Sequence, residues 1–340
     1  MRTRRPWTAT ATLALGLLLP ADIAGAQTQI TIGRITSGIG LHVPSYIAME
    51  KGFYKEEGLD AKWVVLGGRA MLTAGLSGNL QYVPVPSGGA QALLRSGAKL
   101  RYIVNQSLTS HYVFIARPEI TRPEDLRGKT IGLARAGAAD YDEAVTVLSR
   151  FFNMQPGKDY KVLSMTGDPE RVGALLNKSI DAAMVSSPLA VPALQAGMKV
   201  VLRTGDLLPR VGGCFWVLED YYQKNQETVA KFIRAIAKGV MYLRNNKAGS
   251  VPIIKEYLGI PTNEQAGLVW DEIHNTFAAE MPKDLFRELF ESRRLDLVAS
   301  MDGPADRPLP DPEQFLARDR REKTRAQMNY GPTKVGTPQR

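Results

Sequence analysis

Cysteine is almost absent from this 340-residue chain. Cys214 stands alone, so no disulfide can close within the chain and no cysteine-based zinc or iron–sulfur site can be built. Histidine is nearly as scarce: His42, His111 and His274 are far apart and give no metal-ligand spacing. Gly-x-Ser-x-Gly elbows and phosphate-binding glycine loops are missing too, which leaves the serine-hydrolase and nucleotide-hydrolysing classes without a signature. Long apolar runs are confined to one place. Residues 9–19 carry no charge, follow Arg2, Arg4 and Arg5, and precede Ala24-Gly25-Ala26. This is the layout of an export leader cleaved after Ala26, and the run is shorter than the roughly 20 residues needed to cross a bilayer. A periplasmic protein beginning at Gln27 is expected. Without Arg2, Arg4, Arg5 and Asp22 the formal net charge falls from +9 to +7, and the basic residues are scattered along the chain. That balance fits a basic exported protein, with no nucleic-acid partner expected.

What the chain does have is an echo of itself at an offset of about 99 residues. Thr31-Ile32-Gly33 answers to Thr130-Ile131-Gly132, and Gly38 to Gly137. Gly58, Asp60 and Lys62 answer to Gly157, Asp159 and Lys161, and Gly68 to Gly167. After a slip of one residue, Ala74, Leu76, Val85 and Ser87 answer to Ala174, Leu176, Val185 and Ser187. Each copy reads strand, turn, helix, strand, helix, strand. Such alternation implies a mainly parallel sheet with right-handed crossovers, and two such units in one chain imply two α/β lobes with a ligand crevice between them.

The first copy places strands at 29–35, 61–66 and 80–85, with Pro44 in the first turn of a helix running to about residue 51. Helices are expected after Gly67-Gly68 and after Ser87-Gly88-Gly89. The second copy has a capped turn at 121–126, strands at 129–134, 160–165 and 180–185, and a helix at 168–177, with a further strand at 198–202. Its first helix is expected to start with Asp140 as N-cap and Glu143 three residues on, the spacing of a capping box. Residues 112–116 and 215–218 read as strands that leave and re-enter the first lobe side by side, forming a hinge. On this reading lobe one is 27–115, lobe two 116–213, and the return with C-terminal helices 214–301. Phe232, Ile233, Ile236 and Val240 make one helical stripe. Residues 302–340 read as a mostly loose tail.

Gly52-Phe53-Tyr54-Lys55-Glu56-Glu57-Gly58-Leu59-Asp60 resembles the exported solute-binding proteins of ABC importers in the nitrate/sulfonate/taurine and thiamine-precursor (NMT1/THI5-like) group. Pro123-Glu124-Asp125-Leu126-x-Gly128-Lys129-x-Ile131-Gly132, Asp181-Ala182-Ala183 and the run from Asn225 to Ala235 resemble the same group, over residues 30–246. The resemblance implies a type II periplasmic-binding-protein fold: two Rossmann-like lobes, a two-strand hinge and a solute held in the cleft. It also implies a monomer without cofactor or catalysis, partnered by an ABC permease and its ATPase.

In open α/β sheets ligands collect beyond the carboxyl ends of the strands, where helix-start N–H groups point outward. In lobe one that draws attention to Ser37, Gly38, Leu41, His42, Arg69, Ser87 and Gly88. In lobe two it draws attention to Arg135, Gly137, Ala138, Ala139, Ser186 and Ser187. His42 reads either as a ligand contact or as a structural residue, and Arg69 and Arg135 either as partners of a ligand acid or as surface charges. One departure from the group matters. Relatives taking small oxyanions often have hydroxyl residues where this chain has Ala136-Gly137-Ala138-Ala139, followed by a carboxylate at Asp140. The expectation is therefore a larger, partly apolar or aromatic acid rather than nitrate or a small sulfonate. The main rival is an enzyme related to the pyrimidine synthases that share this shape, although those carry a cysteine-rich motif that this chain lacks. A secreted hydrolase, or a sensor serving another membrane partner, are further alternatives.

Overall fold

The computed structural model describes residues 27–35, 42–136, 138–165, 167–280, 284, 286–287, 289–291 and 311–317. The expected leader lies outside them. β1 (Thr28–Ile35) turns Ile30 and Ile32 inward, and α1 (Val43–Glu50) starts with Pro44 where a missing N–H does no harm. After the single turn α2 (Phe53–Glu56), Gly58 takes φ of +73° and feeds β2 (Leu59–Leu66), which lies parallel to β1. α3 (Gly68–Leu76) and α4 (Pro86–Ser96) flank the expected third strand, which shrinks to two bridges: Tyr82 with Ile32 and Val83 with Trp216. Pro84 and Pro86 cannot donate to a ladder, so the strand stops there. β3 (Leu100–Thr109) then leads out of the first unit.

The second unit repeats the plan with β4 (Tyr112–Ala116), β5 (Thr130–Leu133), α5 (Ala139–Phe152), β6 (Lys161–Ser164), α6 (Asp168–Leu176), β7 (Ala182–Ser186), α7 (Ser187–Gln195) and β8 (Lys199–Arg203). Gly157, with φ of +78°, turns into β6 as Gly58 turns into β2. The chain returns through β9 (Pro209–Gly212) to β10 (Phe215–Leu218). The second sheet runs β6-β5-β7-β4-β8. The first follows the same path, β2-β1, the Tyr82-Val83 bridges, β10 and β3. α3 and α6 occupy the same place in the two copies, residues 68–76 and 168–176. Gly33 admits α3, since a Cβ there would overlap Met71 Sδ; a Cβ at Gly132 would meet Ile180 Cδ1 at 2.7 Å, with Arg171 Cγ of α6 at an ordinary 3.6 Å.

A helical layer covers the first unit: α8 (Glu219–Lys224), α9 (Gln226–Asn245), α10 (Lys247–Leu258) and α11 (Asn263–Ile273). The α9 stripe Phe232, Ile233, Ile236 and Val240 is buried as its spacing predicts. The segment carrying the family resemblance ties down this layer. Glu57 receives Arg234 Nε and Lys238 Nζ at 2.7 Å, and Lys238 also reaches Glu56 at 2.9 Å. Burial pushes the Glu57 carboxyl up, but the hydrogen bonds and charges of Lys238 and Arg234 together hold it below the ordinary value.

Several expectations are corrected. The C-terminal helices expected within 214–301 are interrupted by a strand, because β11 (Phe277–Glu280) pairs with β3. A helix, α7, fills the stretch after Ser186-Ser187-Pro188 where the sequence reading placed none. Within the stretch expected to be mostly loose, Leu316 bridges Tyr102, the Ala317 N–H donates to Tyr102 O at 2.9 Å, and both residues are buried. Residues 112–116 and 215–218 do not run side by side; β4 lies between β7 and β8, and β10 beside β3. The neighbouring segments are those just before them. The Thr204 hydroxyl donates to Tyr112 O at 2.9 Å, and Thr109 pairs with Pro209.

Glu57→Gln removes the charge shared by Arg234 and Lys238 and is expected to lower unfolding free energy by about 1–2 kcal/mol. Urea denaturation at pH 7 checks this; an unchanged midpoint would mean that the α2–α9 pairing adds nothing.

Candidate functional site

The carboxyl ends of the two sheets meet where the chain crosses between them. β3 ends at Thr109 and β4 starts at Tyr112, with β7 ending beside it at Ser186. The Ser187 N–H donates to His111 O at 2.6 Å, joining the start of α7 to the crossing. Around this floor lie the starts of α1 and α4 from one unit and of α5, α6 and α7 from the other.

On the first side the polar groups are already engaged. Gln106, on β3, is fully buried; its Nε2 donates to Gly213 O at 2.7 Å and to His42 Nδ1 at 3.1 Å, while its Oε1 accepts from Ser45 N at 3.0 Å. Since Nδ1 accepts, the neutral His42 ring carries its proton on Nε2 and directs it to the Pro84 carbonyl. Burial lowers the His42 pKa to about 4, opposed by that backbone hydrogen bond. His111 has the same tautomer for a different reason. The Ser107 and Thr276 hydroxyls give their protons to Thr109 O and Ile273 O, so both can only accept from His111 Nε2, each at 3.0 Å. Burial alone lowers His111 to about 4.

On the second side an ion cluster joins three helix starts. Arg171 of α6 is 2% exposed, and its Nη2 donates to Asp168 and, at 3.0 Å, to Asp140 on α5. Asp168 Oδ2 accepts both the N–H and the hydroxyl of Ser186, at 2.8 and 2.6 Å. The expected capping box is absent: Ala138 is the N-cap, and Asp140 sits inside the first turn with its carboxylate turned to Arg171. Glycine and alanine at 136–138 leave no side-chain cap there, so the carboxylate follows the nearest cation instead.

The predicted residues divide accordingly. Ser37, Gly38, Leu41 and Gly137 lie outside the described residues. His42 is committed to Gln106 and Pro84, which removes its ring from the available donors. Arg69 and Arg135 are exposed beside the strand ends, at the α3 start and the β5–α5 turn. Ser87 and Gly88 lie in the first turn of α4, and Ala138 and Ala139 at the start of α5. Ser186 is held by Asp168, and the Ser187 N–H by His111. Sequence reasoning missed Gln106, Asp168 and Arg171. Aligning the two helices gives a signal for the last two, because Asp168 and Arg171 hold the places in α6 that Gly68 and Met71 hold in α3, one residue off the echo's match of Gly68 with Gly167.

The units also touch away from the crossing. Gln265 on α11 donates to Gln195 on α7 at 2.6 Å, Arg203 forms a two-pronged pair with Glu272, and Val191 of α7 joins the apolar cluster of the first unit. Trp216 is buried, with Nε1 donating to Val85 O at 3.1 Å, and Cys214 is buried with its thiol pKa pushed well up by desolvation. No His, Cys, Asp and Glu group suited to a metal occurs among the described residues, and none of the helices described is long and apolar enough to cross a membrane.

Comparison with known proteins gives the fold a context. The NMT1/THI5-like family profile matches residues 40–249. The binding protein YtlA of Bacillus subtilis is 26% identical over 231 residues, covering 66% of this chain and 69% of its own. The periplasmic aliphatic sulphonate binding protein SsuA from Escherichia coli superposes with a TM-score of 0.69 at 17% identity, over 84% of this chain and 91% of SsuA. The periplasmic nitrate-binding protein NrtA from Synechocystis PCC 6803 does so with a TM-score of 0.68 at 13% identity, over 92% of each chain. A cysteine-to-serine variant of the desulfurization enzyme DSZB, in complex with biphenyl-2-sulfinic acid, has a TM-score of 0.63 at 13% identity, over 88% of this chain and 99% of that enzyme. The two-sheet architecture is that of type II periplasmic binding proteins.

His42 and His111 both titrate near 4 when folded, against about 6.5 when unfolded. Their contribution to stability is therefore complete above pH 6.5 and is lost as pH falls toward 4, with a slope of up to about 1.4 kcal/mol per pH unit for each ring. Urea titrations at pH 7 and pH 5 should show this loss, and His111→Gln should lessen it. An equal pH dependence in parent and variant would contradict the assignment.

Proposed function

Because the chain belongs to the NMT1/THI5-like family, we propose that it is the exported solute-binding component of an ABC importer, holding a small organic solute between its two units and delivering it to a membrane permease. The observation that carries this reading is the convergence of the two sheets' carboxyl ends on a floor joined by the adjacent crossings at residues 109–112 and 203–209. Strand ends facing each other across a flexible joint can close on a solute, and closure couples occupancy to shape. The two lobes on this reading are built on the β2-β1-β10-β3 and β6-β5-β7-β4-β8 sheets, with periplasmic export directed by residues 1–26.

The solute is expected to be partly apolar or aromatic, since Ala136 and Ala138 line the β5–α5 turn with methyl groups. Any acidic group on it has Arg69 and Arg135, both exposed at strand ends, as partners. The names of SsuA and NrtA make sulfonates and nitrate natural starting points for a search. The enzyme alternative has DSZB as its structural precedent, but the one cysteine here is the buried Cys214, whose thiol pKa is raised rather than lowered. That is the reverse of what a thiolate nucleophile requires.

Thermal-shift screening of the exported protein should find a solute that raises the melting temperature without being converted. Product formation in the same samples would replace the binding reading by the enzymatic one. For an acidic solute so found, Arg135→Ala should weaken affinity by about tenfold, or ~1.4 kcal/mol. Unchanged affinity by titration calorimetry would remove Arg135 from the site.

A further inference from the structure

Helix α7 belongs to two cores at once. Its Ala190 and Ala193 are buried in the second unit, in one cluster with Val113 and Ile115 of β4. Ser187, Val191 and Gln195, four residues apart, form a different stripe, and this one is tied to the crossing and to the first unit. The Ser187 N–H donates to His111 O at 2.6 Å, and Val191 is 4% exposed within the first unit's apolar cluster. Gln195 Oε1 accepts from Gln265 Nε2 of α11 at 2.6 Å. Helix α11 lies against α7, and its own Ala266, Val269 and Ile273 are buried in the first unit's cluster. It is therefore an arm of the first unit laid along a helix of the second.

The two ends of this contact are built differently. At the crossing, Arg203, which ends β8, makes its two-pronged pair with Glu272 near the end of α11. Thr276, just beyond, accepts from His111 Nε2 at 3.0 Å. At the far end one amide hydrogen bond stands alone. Gln265 Oε1 is buried and has no hydrogen-bond partner among the described residues, so only half of the amide pair is made, and a buried acceptor without a donor is costly. Pro192, inside α7, has no N–H to give to Pro188 O, which weakens the helix just before Gln195. The far end is the weaker one. It also has the longer lever. Gln195 lies eight residues along α7 from Ser187, about 12 Å at the rise of an α-helix. A rigid-body rotation of about 15° around the crossings carries it by up to about 3 Å, more than a hydrogen bond tolerates.

We propose that the α7–α11 contact is a clasp between the two units: Arg203 and Glu272 mark its pivot, and Gln195 and Gln265 part when the units approach each other. The clasp stabilises the separated arrangement, so every closing motion must break its far end. Apparent affinity for a solute of any class is lowered by the share of molecules that the clasp holds apart. Gln195 and Gln265 are thus positioning residues, which set affinity through the equilibrium between shapes. Their role in uptake rests on the solute-binding reading above, whereas the motion they restrain is measurable without a solute.

Spin labels on Lys62→Cys and Lys161→Cys, both exposed and at matching places on β2 and β6, report the separation of the units by pulsed dipolar spectroscopy. Cys214 is buried, so the labels go to the two introduced thiols. In the solute-free exported protein, Gln195→Ala with Gln265→Ala should raise the share of short distances by about threefold or more, while Arg203→Ala leaves it as in the parent. If the double variant fails to fold, Gln195→Ala alone removes only an exposed side chain and should give the same shift in smaller measure. An unchanged distribution in the far-end variants, a shift to longer distances, or an equal shift from Arg203→Ala would overturn the clasp. Repeating the measurement with benzoate, benzenesulfonate and nitrate separates this inference from the solute-binding reading. An anion that shortens the distances equally in parent and far-end variant sinks the clasp and leaves that reading standing. Shortening by substitution alone, with the anions silent, supports the clasp whatever the solute. Distances that never shorten sink the clasp, and with a negative thermal-shift screen they sink the solute-binding reading as well.

Discussion

The second sheet is one continuous stretch of chain, β4 to β8, whereas the first is finished only by the returning chain. β4 enters the second sheet directly after the chain leaves the first, and β10 enters the first directly after the chain leaves the second. Each is antiparallel to the strand it joins from the βαβ core, and each separates that core from the next strand outward. The order of strands therefore forces two crossings to lie together, and it brings the carboxyl ends of both sheets to the same floor. Everything assigned to function depends on these crossings. The His111 carbonyl can meet the Ser187 N–H only because β4 begins where β7 ends.

The two sides of that floor are built on different chemistry. The first is a neutral, buried hydrogen-bond network in which Gln106 fixes the tautomer of His42 and ties α1 to the returning chain at Gly213. The second is an ion cluster in which Arg171 ties α5 to α6, while Asp168 reaches α7. A neutral network resists protonation, and an ion cluster orients charge; together they give a rigid wall and a polar, directional one. The contacts of α7 with α11 add a second connection between the units, which any closing motion must preserve or break.

Much of the architecture was legible in the sequence because it rests on local patterns. The 99-residue echo located β1 and β5, the paired turns at Gly58 and Gly157, and the matching α3 and α6. The segment from Gly52 to Asp60 marked the family, and the structure gives it a structural role through Glu57, Arg234 and Lys238. What failed was decided by non-local partners. The third strand of the first copy looked as good as that of the second, but Pro84 and Pro86 leave it only bridges. Asp140 had the spacing of an N-cap, yet a cation thirty-one residues away claimed its carboxylate. β11 hides in a helical stretch because its partner β3 lies far back in the chain.

The central claim is that a solute is held between the two units by their approach to each other. Small-angle scattering of the exported protein, with and without a saturating solute found by thermal screening, tests it directly. A smaller radius of gyration in the saturated protein is the predicted result. An unchanged radius at full occupancy would contradict closure around the crossings and place the solute on a single unit.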